Sequence, residues 1–136
     1  MAFKFLKDRP RGTHMAASTA STAYAVGEVV ELTNNVFVAL TPGHRAFGLV
    51  NTAKSASDTS TDPIEVTELR SDDVLVADIG TGTMADAYVD SNTEVDVLAG
   101  ALTLDITASA TDDCTIVGWD GKDTAKCYVT FNKTNF

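Results

Sequence analysis

The chain has 136 residues, enough for one domain built round one core. Its formal net charge is −9 and its composition favours Thr, Ala, Asp and Val. An acidic surface repels nucleic acid and anionic membrane, both of which reward Lys and Arg, and no apolar run approaches the roughly 18–20 residues that span a bilayer as a helix.

Residues 1–23 read as an extended basic N-terminal arm and linker. Within residues 1–11, Lys4, Lys7, Arg9 and Arg11 stand against Asp8 alone, while the remainder carries six basic and eighteen acidic side chains. Such a split predicts an arm that leaves its own domain and docks elsewhere. Phe3, Phe5 and Leu6 would bury in a partner's groove, and Lys4, Lys7, Arg9 and Arg11 would meet carboxylates. Residues 15–22 hold no Leu, Ile, Val or Phe. They therefore lack the hydrophobic segment of a secretion signal and have the composition of a linker.

Residues 24–136 read as a single β domain. Glu28–Leu32 and Val36–Leu40 flank Asn34-Asn35, and Asn tolerates the positive φ of a two-residue hairpin turn. Pro42 and Gly43 occupy the central positions of a type II turn, and Ala46–Val50 makes a third strand. The Ser/Thr/Ala/Asp stretch from Asn51 to Pro63 predicts an exposed, mobile loop. Ile64–Leu69 alternates with period two, as a half-buried strand does. Further strands are predicted at Val74–Ile79, Ala87–Val89, Glu94–Val97, Leu102–Ile106, Cys114–Trp119 and Ala125–Phe131. No three-and-four spacing persists for three turns. About eight to ten short strands predict an all-β antiparallel sandwich or small barrel.

Asp120-Gly121 joins the last two strands. As a two-residue turn it pairs Cys114 with Cys127 and puts Cys114, Ile116, Ala125, Cys127, Val129 and Phe131 on the core face. A four-residue loop, Asp120 to Asp123, instead sets Cys127 opposite Ile116. Either way the two cysteines read as reduced core thiols.

The sequence offers little chemistry. His14 and His44 come without a nucleophile elbow, and two Cys and two His lie too far apart for zinc. Gly80-Thr81-Gly82-Thr83 lacks the Lys of a phosphate loop. Asp90, Asn92, Glu94 and Asp96 alternate as in a calcium loop but lack its central Gly and its terminal Glu. Asp72-Asp73 and Asp112-Asp113 read as turn residues. No enzyme activity, cofactor or metal is expected.

The run Gly27-Glu28-Val29-Val30-Glu31-Leu32, a short turn, Val36–Leu40, a Pro-Gly turn and Ala46–Val50 resembles the start of bacteriophage capsid cement, or head-decoration, proteins. Val95–Gly100, Thr115–Asp120 and Lys126–Asn132 look like the closing strands of the same family. The resemblance implies a small β domain bound in many copies to the outside of a virion's capsid, assembled in the host cytoplasm. Its partners would be the major capsid protein and other copies of itself, often as trimers. The alternative is a carbohydrate-binding or adhesion module of a phage tail or cell surface. Such a module would use exposed aromatics, and Trp119 and Tyr128 are expected on one face of the last hairpin.

Overall fold

Asn34 and Asn35 adopt φ of 51° and 63°, and Thr33 and Val36 pair across them. This is the left-handed two-residue turn that the right-handed twist of paired strands prefers. In the computed structural model, which describes residues 2–136, the turn joins β3 (Val29–Thr33) to β4 (Val36–Ala39). These two strands, with β2 (Thr13–Ala16), β5 (Gly48–Val50) and β6 (Ile64–Glu68), form an antiparallel sheet in the order β2-β6-β5-β3-β4. A parallel bridge between Ala17 and Val36 closes it, with the Phe37 amide donating to the Ala17 carbonyl at 3.0 Å. The result is a five-stranded barrel. Tyr24, Val30, Phe37, Phe47, Val50, Ile64 and Val66 pack inside. The Tyr24 hydroxyl, buried with them, donates to the Phe37 carbonyl at 2.7 Å and accepts from the Thr19 amide at 2.8 Å.

A second sheet follows the order β1-β7-β11-β10-β8-β9. Its strands are β1 (Lys4–Phe5), β7 (Leu75–Thr81), β8 (Glu94–Val97), β9 (Leu104–Asp105), β10 (Cys114–Gly118) and β11 (Lys126–Phe131). A parallel pairing of β7 with β9 brings this sheet round on itself, leaving β1 as an added edge strand. Leu75, Ala77, Val95, Val97, Leu104, Ile116, Val129 and Phe131 fill its centre. Along β11 the buried residues alternate with half-buried ones, the period-two pattern of a strand with one face inward.

The two sheets share a wall. Val29, Ala46, Leu49 and Leu69 come from the first barrel's sequence yet belong to the second sheet's core, while Val30 and Val50 point the other way. Strand β5 is thus buried on both faces, which is why Ala46–Val50 is a continuous apolar run rather than an alternating one. Gly48 is required there, because a Cβ would collide with the Thr67 carbonyl oxygen.

Several expectations need correction. Ala87–Val89 lies in a short helix, α1 (Asp86–Asp90), not a strand. The strands number eleven among the described residues, two of them only two residues long. The Asn51–Pro63 loop is exposed but tied down: the Lys54 ammonium donates to Ser18 Oγ and to the carbonyls of Thr19 and Ser60. The last hairpin follows neither predicted register. Cys114 pairs with Phe131, Ile116 with Val129 and, across a bulge, Gly118 with Tyr128. Residues 119–125 form the loop, because Asp120 Oδ1 accepts the amides of Lys122 (2.8 Å) and Asp123 (2.9 Å) and so turns the chain locally before β11 begins. Cys114, Ile116, Cys127, Val129 and Phe131 are buried as expected, whereas Ala125 is exposed. Both thiols are free, and burial pushes that of Cys127 up to about 12.

Before β3, residues Ala25–Glu28 make a turn with Gly27 at φ 86° and Glu28 N–H on the Ala25 carbonyl at 3.0 Å. Glu28 itself is buried, and desolvation lifts its carboxyl from 4.5 to about 6 although the Ala25 amide donates to it. The folded state therefore binds the proton more tightly than the unfolded chain. This group's contribution is fully present below about pH 4.5 and is lost as pH rises through about 6, a change on the order of 2 kcal/mol. Glu28→Gln should match the parent chain in stability at pH 4.5 and exceed it above pH 6. Urea unfolding across that window checks this, and a difference independent of pH would refute it.

Candidate interaction surface

Alternate residues of an extended chain point the same way, so Arg9 and Arg11 face one side across Pro10. That side meets the turn Ser71-Asp72-Asp73. Asp73 is 2 % exposed and lies 2.6 Å from Arg9 Nη2 and 2.9 Å from Arg11 Nη2. Its other oxygen accepts the Arg70 amide at 2.9 Å. Asp72 sits outside, 3.1 Å from the same Arg9 nitrogen. The hydrogen bond from Arg9 lowers the Asp72 pKa, and its reciprocal raises that of Arg9. Arg11 donates further to the carbonyls of Arg9 and Lys7, and its guanidinium stacks 3.6 Å from the Phe5 ring centroid. One nitrogen, Arg11 Nε, is buried without a partner.

The arm's apolar side is also turned inward. Phe3 is 2 % exposed and meets Phe131 edge-on, with centroids 5.4 Å apart. Its amide donates to the Gly27 carbonyl, and that of Leu6 to the Val74 carbonyl. Residues 13–16 then pair with β6. The segment expected to leave the domain is therefore strand β1 of one sheet and strand β2 of the other. The physical reason is complementarity within the chain: β7 has an open edge, Phe131 an open flank, and Asp73 a buried charge that needs a cation.

The seven arm residues divide accordingly. Phe3 and Arg11 are buried or nearly so, Phe5 is half-buried against Arg11, and Arg9 is exposed but ion-paired. Lys4, Leu6 and Lys7 face outward. Leu6, 41 % exposed, and Lys7 border an open hollow of about 300 Å³ floored by Val74 and the Arg–Asp cluster. A second hollow, about 370 Å³, lies on the arm's other side between Phe5, Leu49 and Val26, and Val26 is 60 % exposed at the tip of its turn.

Elsewhere, His14 stacks on Phe136 at 5.4 Å, meets Phe47 edge-on at 5.0 Å, and lies 3.6 Å from Glu68. His44 Nδ1 lies 2.8 Å from Glu31. The alternating acids are not gathered round a common point. Asp90 ends α1, Asn92 takes φ 47°, and Asp96 accepts the amides of Ala110, Thr111 and Asp112 at 2.9 Å. Partial burial acts to raise the Asp96 pKa, and those amide donors outweigh it and hold it low. Asp113 is likewise structural, accepting from Gly43, Val97 and the Thr111 hydroxyl. Among the described residues no three His, Cys, Asp or Glu side chains are gathered as a metal site. The β10 bulge turns Trp119 towards the core, its indole N–H on Asp86 at 2.9 Å, while Tyr128 lies over Gly118. The expected Trp–Tyr platform does not form.

In the sequence alone, Asp73 has the signature of a turn residue. The available signal was the matched spacing of two adjacent acids and an Arg-x-Arg pair. No protein-family model matches the chain, and no curated protein matches its sequence.

Removing a buried partner leaves the other charge uncompensated, whereas exposed pairs contribute little. Asp73→Ala should lower the unfolding free energy by about 3 kcal/mol or more, whereas Asp72→Ala, which removes only a solvent-screened partner, should leave it nearly unchanged. Chemical denaturation of both variants checks this, and equal effects would contradict the assignment.

Proposed function

We propose that the protein is a structural component of a bacteriophage virion, a cement protein that binds the outside of the assembled capsid and stabilises it. The observation that carries this reading is the outward rim of the arm. Lys4 and Lys7 present positive charge and Leu6 an apolar side chain beside a hollow, on a molecule whose formal net charge is −9. A surface of that kind suits a carboxylate-bearing partner, with the apolar contact supplying affinity and the charges orientation.

Two further features support the reading. The stretch that resembles cement proteins, Gly27–Val50, forms β3, β4 and β5 and the turns between them, a continuous unit of the first barrel. The two barrels also share a wall, with strand β5 buried on both faces, which makes a stiff body suited to bridging neighbouring subunits without losing conformational freedom on binding. The partner is the major capsid protein, and the contact is made by the outward rim with the arm still docked on its own body.

Shells of the major capsid protein assembled without this chain provide the test. The intact protein should co-sediment with them. Leu6→Asp combined with Lys7→Glu should weaken binding by about a hundredfold, from one lost apolar contact and one reversed charge, with no change in thermal unfolding. Undiminished binding by that variant, or binding to free oligosaccharides in place of shells, would overturn the proposal.

A further inference from the structure

Arg45 and Lys133 differ from the arm's arginines in their partners. The Lys133 ammonium donates to the carbonyls of Gly43 (3.4 Å) and Thr111 (3.2 Å), and Arg45 donates to the Thr134 carbonyl at 3.2 Å. Carbonyls orient a cation but leave its charge in place. Neither side chain forms an ion pair among the described residues, although the sequence holds 19 acids against 10 bases. With His44 and the 40 % exposed Leu32 they border an open groove of about 600 Å³. Glu31 is also there, but its Oε2 accepts the Thr41 amide and lies against His44 Nδ1.

The opposite end of the β10–β11 hairpin carries the opposite charge. Residues 120–125 of its loop are all exposed. Asp120 shapes that loop from within, and Asp123 Oδ1 accepts the Ala125 amide at 3.0 Å, so the projection is already ordered. Asp86 and Asp90 of α1 border the same end beside Trp119; Lys122 is the one cation within residues 120–125, and Lys126, which follows, is paired with Asp78. Lys133 lies just past the last residue of β11, whereas the loop joins the other ends of both strands. Strands of five and six residues separate the two sites by roughly 15–20 Å, so one molecule cannot bring them together.

We infer that the acidic 120–125 loop of one copy docks into the Arg45–Lys133 groove of a second copy, joining molecules head to tail. The contact is heterologous: each copy offers one projection and one groove, and successive copies form a closed ring or an open chain according to the rotation between them. This deepens the cement reading and rests on it for the setting, since copies crowded on one shell would meet at these poles. The contact itself is set by charge and position and is measurable without a shell.

Sedimentation equilibrium on the full chain tests it. The parent protein should self-associate at low salt, and raising NaCl from about 50 to about 500 mM should weaken association by about tenfold or more. Arg45→Glu with Lys133→Glu makes both poles acidic, and Asp90→Lys with Asp123→Lys makes both basic. Each double variant alone should be monomeric, and an equimolar mixture should associate again, which also shows that both are folded. The neutral pair Arg45→Gln with Lys133→Gln should weaken association to a lesser extent than charge reversal. A parent chain that stays monomeric at low salt, variants that associate like the parent, or a mixture that stays monomeric would each overturn the inference. Loss of shell binding with self-association intact would count against the cement reading alone.

Discussion

The buried carboxylate of Asp73 is the constraint on which the arrangement of the rest depends. A carboxylate 2 % exposed needs hydrogen bonds and a counter-charge, since an isolated buried charge costs several kcal/mol. Its own turn supplies one amide. The guanidinium groups come from residues more than sixty positions away, on the arm. Holding Arg9 and Arg11 at Asp73 brings Phe3 and Phe5 alongside β7 and Phe131, and it points the chain that follows towards β6. An acidic turn and a basic arm thus fix where the N-terminal strands of both sheets lie.

The second organising feature is the wall that the barrels share. Each five-stranded ring is small, and its interior holds only a handful of large side chains. Packing the outer face of one sheet against the other lets Val29, Leu49 and Leu69 join the second core while Val30 and Val50 fill the first. Closed ladders remove most free edges. The edge that remains on β7 is covered by β1, so the arm completes the fold as well as presenting Lys4, Leu6 and Lys7 to the outside.

Much of this architecture is legible in local sequence. The Asn34-Asn35 hairpin, the Pro42-Gly43 turn and the alternation of Ile64–Leu69 and Ala125–Phe131 each follow from nearest-neighbour chemistry. What local patterns do not carry is competition between partners. Asp120-Gly121 fits a two-residue turn, yet the Asp120 side chain captures two amides and lengthens the loop. Ala87-Tyr88-Val89 has strand composition but lies between Asp86 and Asp90, where the chain must turn back towards β8. The arm's charge and its Phe-x-Phe pattern are visible in the sequence; that their complement lies in the same molecule is not, because Asp72-Asp73 carries the ordinary signature of a turn. The groove formed by Arg45 and Lys133 escapes the sequence for a similar reason, since its residues are 88 positions apart and meet only when Ala46 pairs with Thr134.

The arm is an integral strand of the fold, with only its outer rim left for a partner. Amide hydrogen exchange on the full chain tests it most directly. The amides of Phe3 and Leu6 donate to the Gly27 and Val74 carbonyls, and they should exchange as slowly as the β7 and β11 amides. Exchange of those two amides at the rate of an unstructured peptide, with β7 and β11 protected, would contradict it and return the arm to a segment that waits for its partner.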